Sequence, residues 1–253
     1  MSRLAERLSG GGKLIGFLVG GHPNMEDSYK DACAVIGEGV DVLEVGLPFS
    51  DPIADGPTIQ AAATQALKKG MNPARYFKLC TRISAAHDVP LVCLTYYNIV
   101  LQYGHSRFAA SCKKAGVDGV IIPDLPLEHS GPFQKALAAE GVDFIFLVSE
   151  TTTEERLARI CKKASGFIYV VALLGTTGAR SSVDPALKKL LGRIRKHASI
   201  PLAVGFGISK PSHIKQVLSF GAQAAIVGSA IVKRVGKRRE LRAYVASLRR
   251  AAR

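Results

Sequence analysis

Eight short apolar runs alternating with helix-patterned stretches predict a (β/α)8 TIM barrel with a short N-terminal extra helix, residues 1–253 forming one domain. Three observations carry this reading. The runs are almost continuously apolar, as strands of a parallel sheet covered on both faces must be. Several intervening stretches end in glycine (Gly39, Gly116, Gly141, Gly221), the usual helix stop, with a new run close behind. The first run ends in GGHP and not in the GxGxxG turn of an open dinucleotide-binding sheet, which leaves the doubly wound sheet as the lesser alternative.

Taken in order, SRLAERLSG reads as the extra helix that covers the bottom of the barrel. KLIGFLVGG (13–21) is the first strand, and MEDSYKDACAVIGEG the helix after it. DVLEVGL (41–47) is the second strand, PLVCLTYY (90–97) the third, and VDGVIIPDL (117–125) the fourth, with the helical SRFAASCKKAG before it. GPFQKALAAEG leads to VDFIFLVS (142–149), and TEERLARICKKAS to GFIYVVALLG (166–175). PLAVGFG (201–207), the helical PSHIKQVLSFG and AQAAIVGS (222–229) complete the alternation. In the last helix Leu241, Tyr244, Val245 and Leu248 recur at helical spacing and give it one apolar face.

With 47% apolar and 21% charged residues the chain can bury a full core. No apolar run approaches the roughly 18 residues of a membrane span, and MSRLAERLSGGGK lacks the apolar segment of a signal peptide, so a cytoplasmic protein is expected. The five cysteines form no CxxC pair and read as reduced packing residues, and the six scattered histidines offer no metal-ligand spacing. The net charge of +14 is unusual, and from Lys233 to Arg253 nine Lys or Arg face Glu240 alone. The plain reading is a docked helix with a solvated basic face. A nucleic-acid surface lacks the interleaved aromatics that stack on bases, and general steering of anionic ligands stays open.

Barrel chemistry collects where strands end and βα loops begin. The segment DVLEVGLPFSDPIADGPTIQ places Glu44, Asp51 and Asp55 on one strand and its loop. Alternation sends Leu43, Val45 and Leu47 outward and Glu44 inward. A carboxylate there costs roughly several kcal/mol unless it is paired or used, and burial raises its pKa toward neutrality. Asp55 can reach back over the same mouth or serve as a turn or helix cap, while Asp51, followed by Pro52, reads as a contact residue. Asp124 in PDLP fits a turn as well as a site. The seventh and eighth strands end in the glycine turns GFGIS and VGS, beside GTTG, which fit a cradle for a substrate or cofactor phosphate better than ligand-free turns. No strand carries an interior lysine for a Schiff base, clustered metal ligands are lacking, and neither GxSxG nor a Cys–His arrangement occurs. Acid–base chemistry on a phosphorylated substrate remains, in a pocket suited to a flat aromatic group and lined by Phe17, Leu94, Tyr96, Ile121, Tyr169 and Phe206.

The pieces LEVGLPFSDPIADGPTIQAA, YYN, DGVIIPDLP, GTTGAR, VGFGIS and VGSAIV, in this order and spacing, resemble the tryptophan synthase α subunit family over nearly the whole chain. The resemblance implies retro-aldol cleavage of indole-3-glycerol phosphate to indole and glyceraldehyde 3-phosphate, without metal or organic cofactor in this subunit. It implies that Glu44 is the acid–base group and that Asp55 pairs with the indole N–H. Tyr169 would stand beside the glutamate, and Thr177 would meet the aspartate when the sixth loop closes. Gly178, Gly207, Gly228 and Ser229 match the phosphate cradle, and Phe17, Leu94, Ile121 and Phe206 the indole pocket. Indole would pass to a pyridoxal-phosphate β subunit in an α2β2 heterotetramer, through a contact that includes Pro48 and Asp51. The chain departs from the family pattern at His22, at SETTT after the fifth strand, and at Leu173 and Leu174. Rival readings are a stand-alone lyase that releases free indole, another phosphosugar barrel enzyme, and a silent barrel that binds a partner or nucleic acid through its basic last helix.

Overall fold

In the computed structural model, residues 1–172 and 186–253 are described. The chain runs through α1 (Arg3–Leu8), β1 (Lys13–Val19), α2 (Met25–Gly37), β2 (Val42–Gly46), α3 (Pro57–Lys68), α4 (Pro73–Ala86) and β3 (Leu91–Leu94). It continues through α5 (Tyr97–Tyr103), α6 (His105–Lys114), β4 (Val117–Ile121), α7 (Gly131–Ala139), β5 (Asp143–Ile145), β6 (Leu147–Val148) and α8 (Glu154–Lys163). Then come β7 (Ile168–Val171), α9 (Ala186–Arg195), β8 (Leu202–Gly205), α10 (Pro211–Ser219), β9 (Ala224–Val227), α11 (Ser229–Val232) and α12 (Arg238–Ala252).

All strand pairings are parallel, in the order β5-β4-β3-β2-β1-β9-β8-β7-β6. The two ends of this order are pieces of one strand broken at Phe146. β5 pairs with β4 and β6 with β7, so the broken strand closes the ring. The expected fifth run is thus two segments, and the other seven each contain one strand.

Two apolar layers follow from strand alternation. Ile15, Val42, Val92, Ile121, Ile145, Phe167, Tyr169, Ala203, Ala224 and Ile226 fill the barrel interior, while Leu43, Val45 and Leu47 pack outward under the helices. Leu4 and Leu8 of α1 belong to the inner layer and close the bottom, as the N-terminal segment led us to expect. Gly119 makes room for this plug, since a Cβ there would stand 2.6 Å from Leu4 Cδ1 and 2.6 Å from Ile145 Cδ1. The Ser2 hydroxyl caps α1 by accepting from the Ala5 N–H at 3.4 Å.

The basic terminal helix is docked. Leu241, Val245 and Leu248 are fully buried, and the Tyr244 hydroxyl donates to the Ser209 carbonyl at 2.8 Å. Much of its charge is matched: Arg238 pairs with Asp27 and Asp31, Arg242 with Glu38, and Arg249 with Asp41. All five cysteines are free thiols inside secondary structure. Among the described residues no helix is long and apolar enough to cross a membrane. His22 precedes Pro23 through a cis peptide bond, and its Nδ1 is buried without a partner among the described residues. Burial lowers its pKa against the opposing charge of Asp31.

Candidate active site

Parallel pairing sets Phe17 opposite Glu44 across β1 and β2. Glu44 is 1% exposed, and its Oε2 has no hydrogen-bond partner among the described residues. Burial, reinforced by the nearby charge of Asp55, raises its pKa to about 8. The carboxyl therefore stays largely protonated at neutral pH, which is the state that its apolar surroundings favour.

Asp55 is half-buried on the loop after β2. Burial raises its pKa, and a hydrogen bond from the Tyr96 side chain opposes the rise. Tyr96 organises this loop. Its hydroxyl accepts from the Ala54 N–H at 3.1 Å, and its ring stacks on Phe49 with centroids 5.4 Å apart. Gln60 of α3 donates to the Asp55 carbonyl at 2.8 Å, which fixes the far end of the loop.

Tyr169 points inward from β7, level with the small Ala203 of β8 and, one strand further, Ala224 of β9. Burial pushes its phenol well up, with Glu44 and then Asp55 adding to the rise. Its ring occupies the space that a side chain on Gly205 would need: a Cβ there would lie 2.2 Å from the Tyr169 Oη. Phe206 follows with φ 72°, a left-handed conformation that costs a non-glycine residue about 1 kcal/mol or more. This turn sets the Phe206 ring edge-on to Tyr169, with centroids 6.2 Å apart.

These groups surround one cavity of about 370 Å³ at the mouth of the barrel. Glu44, Asp55, Tyr169, Phe17, Leu94, Phe206, Gly207, Gly228 and Ser229 all line it, so nine expected residues meet in one place. Ile121 does not reach the wall. It is fully buried in the inner layer, and Leu94 and Leu147, which pack on that layer, form the wall in its stead. Tyr96 lines a small adjoining pocket with Phe49 and Pro48. Pro48 is buried and Asp51 exposed. Asp124 accepts from the Tyr97 N–H at 2.9 Å and so holds the start of α5. Thr177, Gly178, Leu173 and Leu174 lie outside the described residues.

The cavity also includes Thr58, Pro123, Leu147, Ile226 and Lys233, which the sequence reading did not nominate. Leu147 reaches it by simple alternation, since Phe144, Phe146 and Val148 face outward while Ile145 and Leu147 face inward. Lys233 had a signal: it follows Ser229 by four residues, one helical turn. Among the described residues no group of three or more His, Cys, Asp or Glu could hold a metal ion.

A closed parallel barrel that gathers two ionisable carboxyls and two glycine turns around an aromatic-lined mouth is a (β/α)8-barrel enzyme of the acid–base kind. The family model described as tryptophan synthase alpha chain matches residues 4–252. The tryptophan synthase alpha chain of Methanocaldococcus jannaschii is 50% identical over 224 residues, covering 88% of this chain and 79% of the relative. That of Methanoregula boonei is 44% identical over 246 residues, covering 94% and 93%. Among solved structures, Mycobacterium tuberculosis tryptophan synthase superposes with a TM-score of 0.92 at 35% identity, covering 100% of this chain and 98% of that one. A chain from the tryptophan synthase α2β2 complex of Pyrococcus furiosus gives a TM-score of 0.89 at 37% identity, covering 94% and 98%. The chain belongs to the tryptophan synthase alpha chain family.

Proposed function

We propose that residues 1–253 form one barrel domain that cleaves indole-3-glycerol phosphate to indole and glyceraldehyde 3-phosphate and delivers indole to a β subunit. The observation that carries this reading is Glu44, a buried carboxyl with a pKa of about 8 whose Oε2 has no partner among the described residues, on the wall of a cavity that also holds Asp55. Its protonated form delivers the proton to indole C3. The Asp55 carboxylate accepts the indole N–H and stabilises the positive charge that then develops on the ring. Glu44, now ionised, takes the proton of the hydroxyl on the carbon attached to C3. The bond between that carbon and C3 breaks, its electron pair returns to the ring, and the hydroxyl-bearing carbon becomes the aldehyde. Glu44 ends as it began, so one carboxyl serves both proton transfers.

Phe17, Leu94 and Phe206 hold the indole, with Tyr169 beside Glu44. Gly207, Gly228 and Ser229 receive the phosphate. The chain needs no metal or organic cofactor of its own, pyridoxal phosphate belonging to the β subunit, and it works in the cytoplasm. The β subunit docks on the face around the second βα loop, where Asp51 is exposed and Ile53 is 81% exposed, with Leu101 of α5 53% exposed nearby. Two large apolar side chains so exposed on neighbouring segments suit a covered surface. The assembly is an α2β2 heterotetramer.

The test is indole release from indole-3-glycerol phosphate by the wild type and Glu44→Gln, with and without a β subunit. Stimulation of the wild type by the β subunit, and a mutant slowed at least about a hundredfold, are expected. A mutant with wild-type rate would end the assignment of Glu44. A wild-type rate indifferent to the β subunit would mark a stand-alone lyase.

A further inference from the structure

The phosphate carries most of the substrate's charge, yet Gly207, Gly228 and Ser229 offer it only neutral donors. The cavity's acidic side chains, Glu44 and Asp55, repel it when ionised. Among the described residues that line the cavity, Lys233 is the sole cationic side chain. Its backbone N–H donates to the Ser229 carbonyl at 3.0 Å, so Lys233, the C-cap of α11, stands one turn beyond Ser229 on the same side. Helical side chains lean toward the N-terminus, and Lys233 lines the same cavity as Ser229 and Gly228. Neighbouring cations are engaged elsewhere. The Arg234 guanidinium lies 3.8 Å from the Tyr244 ring centroid and pairs with Glu240, and Arg238 pairs with Asp27 and Asp31. The Lys233 ammonium has no ion pair or hydrogen bond among the described residues, and the residue is exposed at the mouth.

We propose that Lys233 is a ligand of the substrate phosphate and sets the preference of this site for a phosphorylated substrate. The inference rests on the cavity being the indole-3-glycerol phosphate site. Lys233 adds a charge-assisted hydrogen bond to the backbone cradle, at the end of the substrate remote from the bond that breaks. Its contribution is therefore equal in ground and transition states, and it appears in KM and not in kcat.

The experiment compares wild type, Lys233→Met, Lys233→Arg and the distant surface variant Arg250→Gln, each as the complex with the β subunit. It measures cleavage kinetics and, separately, the binding of inorganic phosphate to each protein by calorimetry. Lys233→Met is expected to raise KM and to weaken phosphate binding by about five- to tenfold, the range of a partly exposed charge-assisted bond, with kcat within about twofold. Lys233→Arg recovers most of both losses, and Arg250→Gln, which removes one charge elsewhere, changes neither. Phosphate affinity unaltered in Lys233→Met, or weakened equally in Arg250→Gln, overturns the proposal. A wild type that binds phosphate through Lys233 but does not release indole leaves this inference standing and overturns the proposed function instead.

Discussion

Glu44 stands in a conflict between stability and chemistry, and pH separates the two. Its folded-state pKa of about 8 lies above the ordinary value of 4.5. Between these values the folded state holds a proton that the unfolded state has released, so this residue makes stability fall as pH rises from about 4.5 to about 8. Glu44→Gln keeps the shape and abolishes the titration. Chemical denaturation is expected to show the variant more stable than wild type by on the order of a few kcal/mol at pH 8 and by much less at pH 5. A gain that does not change with pH would mean that Glu44 is not held protonated by burial. The same pKa shapes catalysis. The first proton goes to indole C3, so kcat/KM should decline as pH passes about 8 and Glu44 ionises in the free enzyme. On the acid side it should decline as Asp55, whose pKa is also raised, takes up its proton. A kcat/KM still climbing above pH 9 would place the acid on another residue.

At the scale of elements, the site depends on how β7 and β8 share space. The Tyr169 ring fills the volume beside Gly205, and the left-handed Phe206 and Gly207 follow directly. Gly205→Ala would drive a methyl group into the Tyr169 Oη. Overpacking of this kind costs about 1–3 kcal/mol, and relief by moving the ring would disturb both Glu44 and Phe206. A lower melting temperature together with a kcat loss of about tenfold or more is expected. A variant that loses stability but keeps kcat would show that Tyr169 is only packing. Gly205 also marks how far a sequence can be read. The apolar runs and their alternation revealed the strands, the inward aim of Glu44 and the α1 plug, because these follow from local period and composition. The break at Phe146, the positive φ of Phe206 and the withdrawal of Ile121 behind Leu94 and Leu147 arise from neighbours far along the chain, and no local pattern encodes them. The Lys233 position was legible in principle, since α11 begins at Ser229 and one turn of helix leads from one residue to the other. The VGS turn by itself offers only neutral donors, and the charge lies one turn beyond it.

The whole molecule carries a net charge of +14, and its fold decides where that charge acts. The terminal helix looked like the centre of the excess, yet Arg238, Arg242 and Arg249 turn toward acids of α2 and of the segment before β2. Those pairs are partly cancelled at close range and serve to dock the helix. The field that remains at a distance is still that of a strongly cationic body, and the substrate is an anion. Attraction at a distance raises encounter rates without altering the bound state, and salt screens it within a Debye length of about 10 Å at 0.1 M. Cleavage by the isolated chain should therefore show kcat/KM falling by about two- to fivefold between 20 and 300 mM salt, with kcat nearly level. Lys233→Met should fall less steeply, since one of the charges nearest the phosphate is gone, whereas Arg250→Gln should follow the wild type. A kcat/KM independent of salt in the wild type would mean that the excess charge plays no part in capturing the substrate. A decline in kcat of the same size would place the effect of salt on the bound state and not on the approach to it.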